Sequence, residues 1–254
     1  MVDEQMQRPQ RVARWLAIVL LGLAFCFVAF LVWTGRPALA ADAALHALTS
    51  DAQVTVTTEP WLVFTPTTPT ITTGFIFYPG GRVDPRAYAP AAHAIAAAGY
   101  LVVIVPMPLN LAILAPGRAQ TVIAAYPAIR HWAIGGHSLG GAMAANFVTT
   151  HPGAVEQLIL WGAYPNDTDS LANRTGLVTT LIYGTADGII TAPEVTAARR
   201  RLPEQTQFVA IQGGNHAQFG WYGEQPGDQP ATIDRTTQQA QVIAATLAVL
   251  AQQP

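Results

Sequence analysis

The stretch from Ala133 to Met143 reads AIGGHSLGGAM and sets Ser138 between Gly136 and Gly140. A serine hydroxyl is a weak nucleophile until it is exposed, paired with a base and faced by donors for the oxyanion formed on attack. A tight turn from strand to helix provides the exposure. Such a turn needs tiny residues two places on either side, as in G-H-S-L-G here. The competing reading is a plain glycine-rich turn. The chain has only three serines, Ser50, Ser138 and Ser170, and its 13 basic residues are all arginine. The absence of lysine excludes a Ser-Lys dyad, a Schiff-base lysine and a phosphate-loop lysine.

A base must reach Ser138. In a fold built on such a turn the order along the chain is serine, acid, histidine. Only His151 and His216 follow Ser138. His151 falls at the far end of the helix that Ser138 would start, more than about 15 Å away. His216 lies in AIQGGNHAQFGWYG, after the last expected strand, with Gly213 and Gly214 before it. His137 beside the serine is expected to point across the turn and to serve in packing or support. For the acid, Asp187 in LIYGTADGII is favoured, with Asp167 and Asp169 in AYPNDTDS as rivals. For the oxyanion, one donor is the amide of Leu139. The second is expected from FYPGGRVDP at Gly81, with Gly80 or Arg82 as neighbouring choices. Phe219, Trp221 and Tyr222 are candidate walls of a substrate site, as is the apolar loop PMPLNLAILAPG; such walls suit acyl chains or aromatic esters.

Elements must bring these residues to one place. VTVT and WLVFTP, before a TPTTPT turn, read as short strands at an antiparallel edge. TGFIFY, YLVVIVP, HWAIGG, QLILWGA, LVTTLIYG and TQFVAIQ read as further strands. YLVVIVP is apolar without alternation, the pattern of a strand covered on both faces. Between the strands lie helical stretches: 84–99, opened by Asp84 and Pro85, then 118–129, LGGAMAANFVTTHP and APEVTAARRRL. A last helix spans 233–253, and a short one is expected over 38–48. Alternation at this spacing predicts an α/β fold, with a mostly parallel eight-stranded sheet and helices on both faces. The short gap between QLILWGA and LVTTLIYG leaves no room for a helical lid.

Trp15–Trp33 is an uncharged run, WLAIVLLGLAFCFVAFLVW, close to the roughly 20 residues needed to cross a bilayer. Arg8, Arg11 and Arg14 precede it and Arg36 follows, so a cytoplasmic N-terminus and an exported remainder are expected. The organisation expected is a cytoplasmic segment over 1–14, a transmembrane signal-anchor over 15–34, a linker with a short helix over 35–52 and a catalytic domain over 53–254. The other reading is secretion after cleavage near Ala40, where ALA resembles a cleavage site. Cys26 is the single cysteine and lies in this run, so a thiol nucleophile and a disulfide are excluded from the exported part. Hydrophobic residues make up 51% and charged residues 11%, enough for a large core. The net charge of −2 gives no basic footprint for nucleic acid.

FYPGG, GGHSLGG, YGTADGII and GGNHAQFG, in this order, resemble the α/β-hydrolase superfamily, within it the small lidless group similar to dienelactone hydrolases and bacterial esterases. The resemblance covers roughly Val54 to Leu250. It implies an α/β-hydrolase fold, with Ser138 as nucleophile, Asp187 as acid, His216 as base, and Leu139 and Gly81 as oxyanion donors. It implies a small-molecule ester substrate, no cofactor and no metal. Pro79 stands where many relatives have histidine, and the serine nucleophile departs from dienelactone hydrolases proper, which use cysteine. The expected activity is a carboxylesterase or lipase-like hydrolase working through an acyl-enzyme. The alternatives are a non-catalytic binding domain of this fold, or an acyltransferase, thioesterase or cofactor-free peroxidase on the same residues.

Overall fold

A computed structural model describes residues 2–68 and 70–252, with side chains from Ala13 onward. Arg8 and Arg11 of the N-terminal charge pattern, and Pro69 of the TPTTPT turn, lie outside the described side chains and residues. The chain divides into two units, Met1–Pro37 and Ala38–Pro254. The first is a single helix, α1 (Val2–Thr34), whose stretch Ala13–Thr34 has 22 residues and is long and apolar enough to cross a membrane.

The second unit holds eight strands: β1 (Val54–Thr57), β2 (Leu62–Pro66), β3 (Thr73–Tyr78), β4 (Leu101–Ile104), β5 (His131–His137), β6 (Gln157–Trp161), β7 (Val178–Gly184) and β8 (Gln207–Ile211). They form one sheet in the order β1-β2-β4-β3-β5-β6-β7-β8. β1 and β2 pair antiparallel, as does β2 with β4; every pairing from β4 through β3 to β8 is parallel. The antiparallel edge and the parallel body are those expected from the sequence.

Two-residue periodicity divides the core. On β3, Phe75 and Phe77 face one side of the sheet while Ile76 and Tyr78 face the other. β6 does the same with Ile159 and Trp161 against Leu158 and Leu160. The first side is covered by α3 (Ala89–Ala97) and α7 (Arg235–Leu250), the second by α4 (Ala119–Ala125), α5 (Leu139–Thr150) and α6 (Ala192–Ala198). Strands buried on both faces have no polar alternation to show, which is why β3 and β4 read as continuous apolar runs.

Several helix ends differ from expectation: APEVTAARRRL turns 3-10 after Ala198, and the last helix, expected over 233–253, is α-helical over Arg235–Leu250, Gln253 lying outside the described residues. The stretch expected helical over 118–129 is α-helical only to Ala125, because Tyr126 precedes Pro127 and takes φ −122° and ψ 66°. The helix expected over 38–48 shrinks to α2 (Asp42–His46), since Ala38 pairs with Val83 instead. Asp84 caps as expected, accepting from the Arg86 amide, but the first turn, Pro85–Tyr88, is 3-10 before α3 begins.

Phe77 is 2% exposed and its ring lies 4.6 Å from that of Trp161 and 4.9 Å from that of Tyr88, directly under the carboxyl edge of the sheet. Phe77→Ala is expected to lower stability by about 3–5 kcal/mol. A urea titration of the full-length protein followed by circular dichroism measures it.

Candidate active site

Each residue singled out for chemistry stands just past the carboxyl end of a strand, where ligands bind in open α/β sheets. Gly80 and Gly81 follow β3, Ser138 follows β5, Asp187 follows β7 and His216 follows β8.

Ser138 has φ 52° and ψ −124°, a conformation L-residues rarely adopt. It starts α5 without capping it by its side chain, so its hydroxyl is not taken up by the helix. The flanking glycines permit the turn. A Cβ at Gly136 would lie 2.6 Å from backbone atoms of Gly140 and Tyr78, and one at Gly140 would run into the carbonyls of Tyr78 and Pro79. The turn is also tied to the next strand, since the Ser138 N–H donates to the Trp161 carbonyl at 3.1 Å.

Asp187 and His216 meet. His216 Nδ1 lies 2.8 Å from Asp187 Oδ2, and both side chains are buried. Asp187 Oδ1 accepts from the amides of Ile189 and Ile190 at 2.8 and 2.7 Å, so both carboxylate oxygens are committed and the group is fixed. Facing a carboxylate, Nδ1 carries the proton, which leaves the lone pair on Nε2. Nε2 is buried and has no hydrogen-bond partner. A buried polar atom left unpaired asks for an explanation, and catalysis is one. The Ser138 hydroxyl and Nε2 are not hydrogen-bonded in this structure. The pair nevertheless stands beside the turn. Gly162, next after the Trp161 that holds Ser138, is so close that a Cβ there would lie 3.3 Å from both Asp187 Oδ2 and His216 Nδ1.

The rival acids are elsewhere. Asp167 is exposed and pairs with Arg201 at 2.7 Å, while Asp169 accepts from Asn146 and Asn166. His151 stacks on Phe147 at the end of α5. His137 is fully buried with its ring 4.4 Å from that of His216. Burial, reinforced by the neighbouring His216, pushes the pKa of His137 well below its ordinary value, so this ring is neutral.

The loop after β3 is held on both sides. The Gly80 N–H donates to the Tyr88 hydroxyl at 3.0 Å, and that hydroxyl lies 2.8 Å from His137 Nδ1. Burial raises the Tyr88 pKa far above the ordinary phenol value, so Tyr88 keeps its proton. The Arg82 N–H donates to the Asn110 carbonyl at 2.8 Å. The Gly80 and Arg82 amides are thus occupied, and the Gly81 amide between them has no acceptor among the described residues. Across from Gly81 lies Leu139: a Cβ on Gly81 would lie 3.0 Å from Leu139 Cδ2. Leu139 is the first residue of α5, so its own N–H has no acceptor within the helix.

The expected walls fare unequally. Phe219 is fully buried, stacked on His137 with ring centroids 5.4 Å apart, and Tyr222 is 6% exposed with its hydroxyl bonded to Gln225. Both belong to the hydrophobic core on the first side of the sheet. Both rings pack beside His137, at centroid distances of 5.4 and 6.3 Å. Trp221 is partly exposed.

Three supporting residues have no local mark in the sequence. Asp228 spans the two loops that carry the buried pair. Its Oδ1 accepts from Gly188, the residue after Asp187, at 2.9 Å, and its Oδ2 accepts from Ala217, the residue after His216, at 2.8 Å. Gln238 on α7 is fully buried and holds the other side of His216, its Oε1 accepting from the Asn215 amide and its Nε2 donating to the Asn215 carbonyl. Tyr88 is the third.

A profile described as Alpha/beta hydrolase family matches residues 74–240. No curated protein matches the chain. Among solved structures, the chain is similar to Est1E of Butyrivibrio proteoclasticus at 10% identity and a TM-score of 0.56, over 79% of this chain and 100% of that one. It is similar to a predicted CIB-like hydrolase of Thermoplasma acidophilum at 12% and 0.56, over 76% and 97%. It is also similar to the esterase domain of a Rhodothermus marinus protein at 14% and 0.53, over 74% and 90%. At such identities the likeness is one of fold.

Backbone strain at Ser138 gives a test that needs no substrate. Ser138→Gly is expected to raise stability by about 1 kcal/mol, since glycine adopts this conformation without the clash. The urea midpoint of the variant against that of the parent measures it.

Proposed function

The chain belongs to the alpha/beta hydrolase family, and on that premise we propose that it is a serine hydrolase cleaving carboxylic esters through an acyl-enzyme on Ser138. The observation that carries this reading is the buried Asp187–His216 pair, whose outer nitrogen is unpartnered beside a strained serine turn. The esterases among the structures of similar fold agree with it.

In this reading Ser138 Oγ attacks the ester carbonyl while His216 Nε2 takes its proton. Asp187 holds the imidazole in orientation and stabilises it when charged. The carbonyl oxygen becomes an oxyanion, which the amides of Gly81 and Leu139 stabilise. His216 returns the proton to the departing alkoxide, leaving the acyl group on Ser138. Water, deprotonated by the same nitrogen, then attacks the acyl-enzyme, and collapse releases the acid and restores Ser138.

We also assign residues 15–34 as a membrane anchor, with 1–14 cytoplasmic, 35–52 a linker and 53–254 the catalytic domain on the far side. The arginines ahead of the uncharged run support this orientation. Retention rather than cleavage near Ala40 is supported by the pairing of Ala38: its N–H donates to the Arg82 carbonyl at 2.7 Å and its carbonyl accepts from the Asp84 amide at 2.9 Å. Cleavage after Ala40 would remove both bonds from the loop that carries Gly81.

Full-length protein in detergent is expected to hydrolyse p-nitrophenyl esters somewhere in the range from acetyl to palmitoyl, and Ser138→Ala to lower kcat by about 10³-fold or more. Equal rates in parent and variant would sink the serine assignment. Asp228→Ala, which frees the two loops carrying the pair, is expected to lower kcat by up to about 10²-fold with KM little changed. Steady-state kinetics on the best ester decide this as well.

A further inference from the structure

Outside α1, the large apolar side chains that stand exposed among the described residues are Leu39 (69%), Leu45 (38%), Leu109 (39%), Ile113 (57%) and Leu114 (50%). They are not scattered. Leu39 and Leu45 belong to the segment that enters the domain through Ala38, which pairs with Val83 and bonds to Arg82 and Asp84. Leu109, Ile113 and Leu114 belong to the loop whose Asn110 accepts from Arg82. Both apolar segments are therefore hydrogen-bonded to the one short loop, 80–84, that contains Gly81.

The 106–118 loop is also built to hold its shape. It consists of three short 3-10 turns, with Leu109 at φ 52° and Asn110 at φ 56°, two successive left-handed residues that are not glycine. Ala112 is buried and fastens the centre, while Ile113 and Leu114 after it stay in the open. Such strain persists only where the surroundings over-determine it, and it clusters at ligand clamps and switches. A loop that merely connected β4 to α4 would have no need to spend a left-handed pair on presenting leucine to water.

Ala38 follows Thr34, the end of the membrane-length helix, by only four residues along the chain. Arg86 is paired with Asp84 at 2.6 Å, but Arg118, four residues after Leu114, is exposed and donates to the Pro106 carbonyl, which places a cation beside the apolar loop. Exposed apolar side chains with basic neighbours are the composition of a surface that lies in a membrane interface.

We propose that the face formed by Leu39, Leu45, Leu109, Ile113 and Leu114 docks into a lipid bilayer, and that the site beside it draws its substrate from there, an ester with a long acyl chain dissolved in the membrane. The substrate half rests on the ester-hydrolase reading given above; the docking half does not.

The test uses full-length protein in vesicles of phosphatidylcholine and phosphatidylglycerol. In a Cys26→Ser background, Ile113→Cys carries an environment-sensitive fluorophore, and Glu204→Cys, exposed before β8 at the opposite edge of the sheet, serves as control. The Ile113 probe is expected to emit at shorter wavelength than the control and to be quenched by lipids bearing a nitroxide high on the acyl chain. Emission and quenching equal to the control would overturn docking. Self-quenching between labelled copies, with no response to nitroxide lipid, would overturn it in favour of a second copy of this chain. For the substrate, the ratio of turnover on a bilayer-embedded palmitoyl ester to that on a water-soluble acetyl ester is expected to fall by about tenfold in Ile113→Asn/Leu114→Asn. An unchanged ratio would overturn the membrane-resident substrate. No turnover of either ester by the parent would sink the ester reading alone and leave the fluorescence result standing.

Discussion

Ser138 is held at φ 52° and ψ −124°, a backbone state of the kind that costs an L-residue about 1–3 kcal/mol, and the neighbouring structure is shaped around keeping it there. β5 delivers the chain to the turn from the middle of a parallel sheet, and α5 carries it away over the second face. Gly136 and Gly140 are there because Tyr78, Pro79 and the helix backbone occupy the space a side chain would need. The bond from the Ser138 amide to Trp161 fixes the turn to β6. Trp161 is in turn packed on Phe77 and donates to Thr246 on α7 at 3.1 Å. Strain at one residue is thus supported by packing on both faces of the sheet.

The same economy governs the buried pair. Asp187 and His216 come from loops that follow different strands, and neither loop is long enough to have a core of its own. They are registered by polar side chains instead. Asp228 joins the residues that follow each of them, Gln238 grips the peptide groups before His216, and the amides of Ile189 and Ile190 hold the free oxygen of Asp187. Below them His137 is neutral and packed between His216 and Phe219, with Tyr88 linking it to the Gly80 amide. A neutral ring suits this place, because a second charge at 4.4 Å in a buried site would oppose protonation of His216.

Much of this was legible in the sequence, for a physical reason. Parallel strands buried on both faces must be apolar throughout, so β3 and β4 declared themselves, and a glycine two places either side of a serine is a backbone demand that local sequence records. Helix ends were less legible where neighbours decide them: Ala38 left its expected helix to pair with Val83, and Tyr126 ended α4 early ahead of Pro127. Aromatic residues in a loop do not reveal whether the loop folds outward or inward. Phe219 and Tyr222 are buried, while Trp221 between them is partly exposed. Asp228 sits among Gly, Pro and Gln in GEQPGDQPAT and looks like any loop acid. Its partners are 40 and 11 residues away along the chain, and only the fold puts them together.

The most direct measurement is the identity of the residue that becomes covalently modified. Full-length protein treated with an alkyl fluorophosphonate, digested and mapped by mass spectrometry, is expected to carry one phosphonyl group, on the peptide containing Ser138. Ser50 and Ser170 should stay unmodified. Modification at another residue, or none while the protein still hydrolyses esters, would contradict a Ser138 nucleophile served by Asp187 and His216.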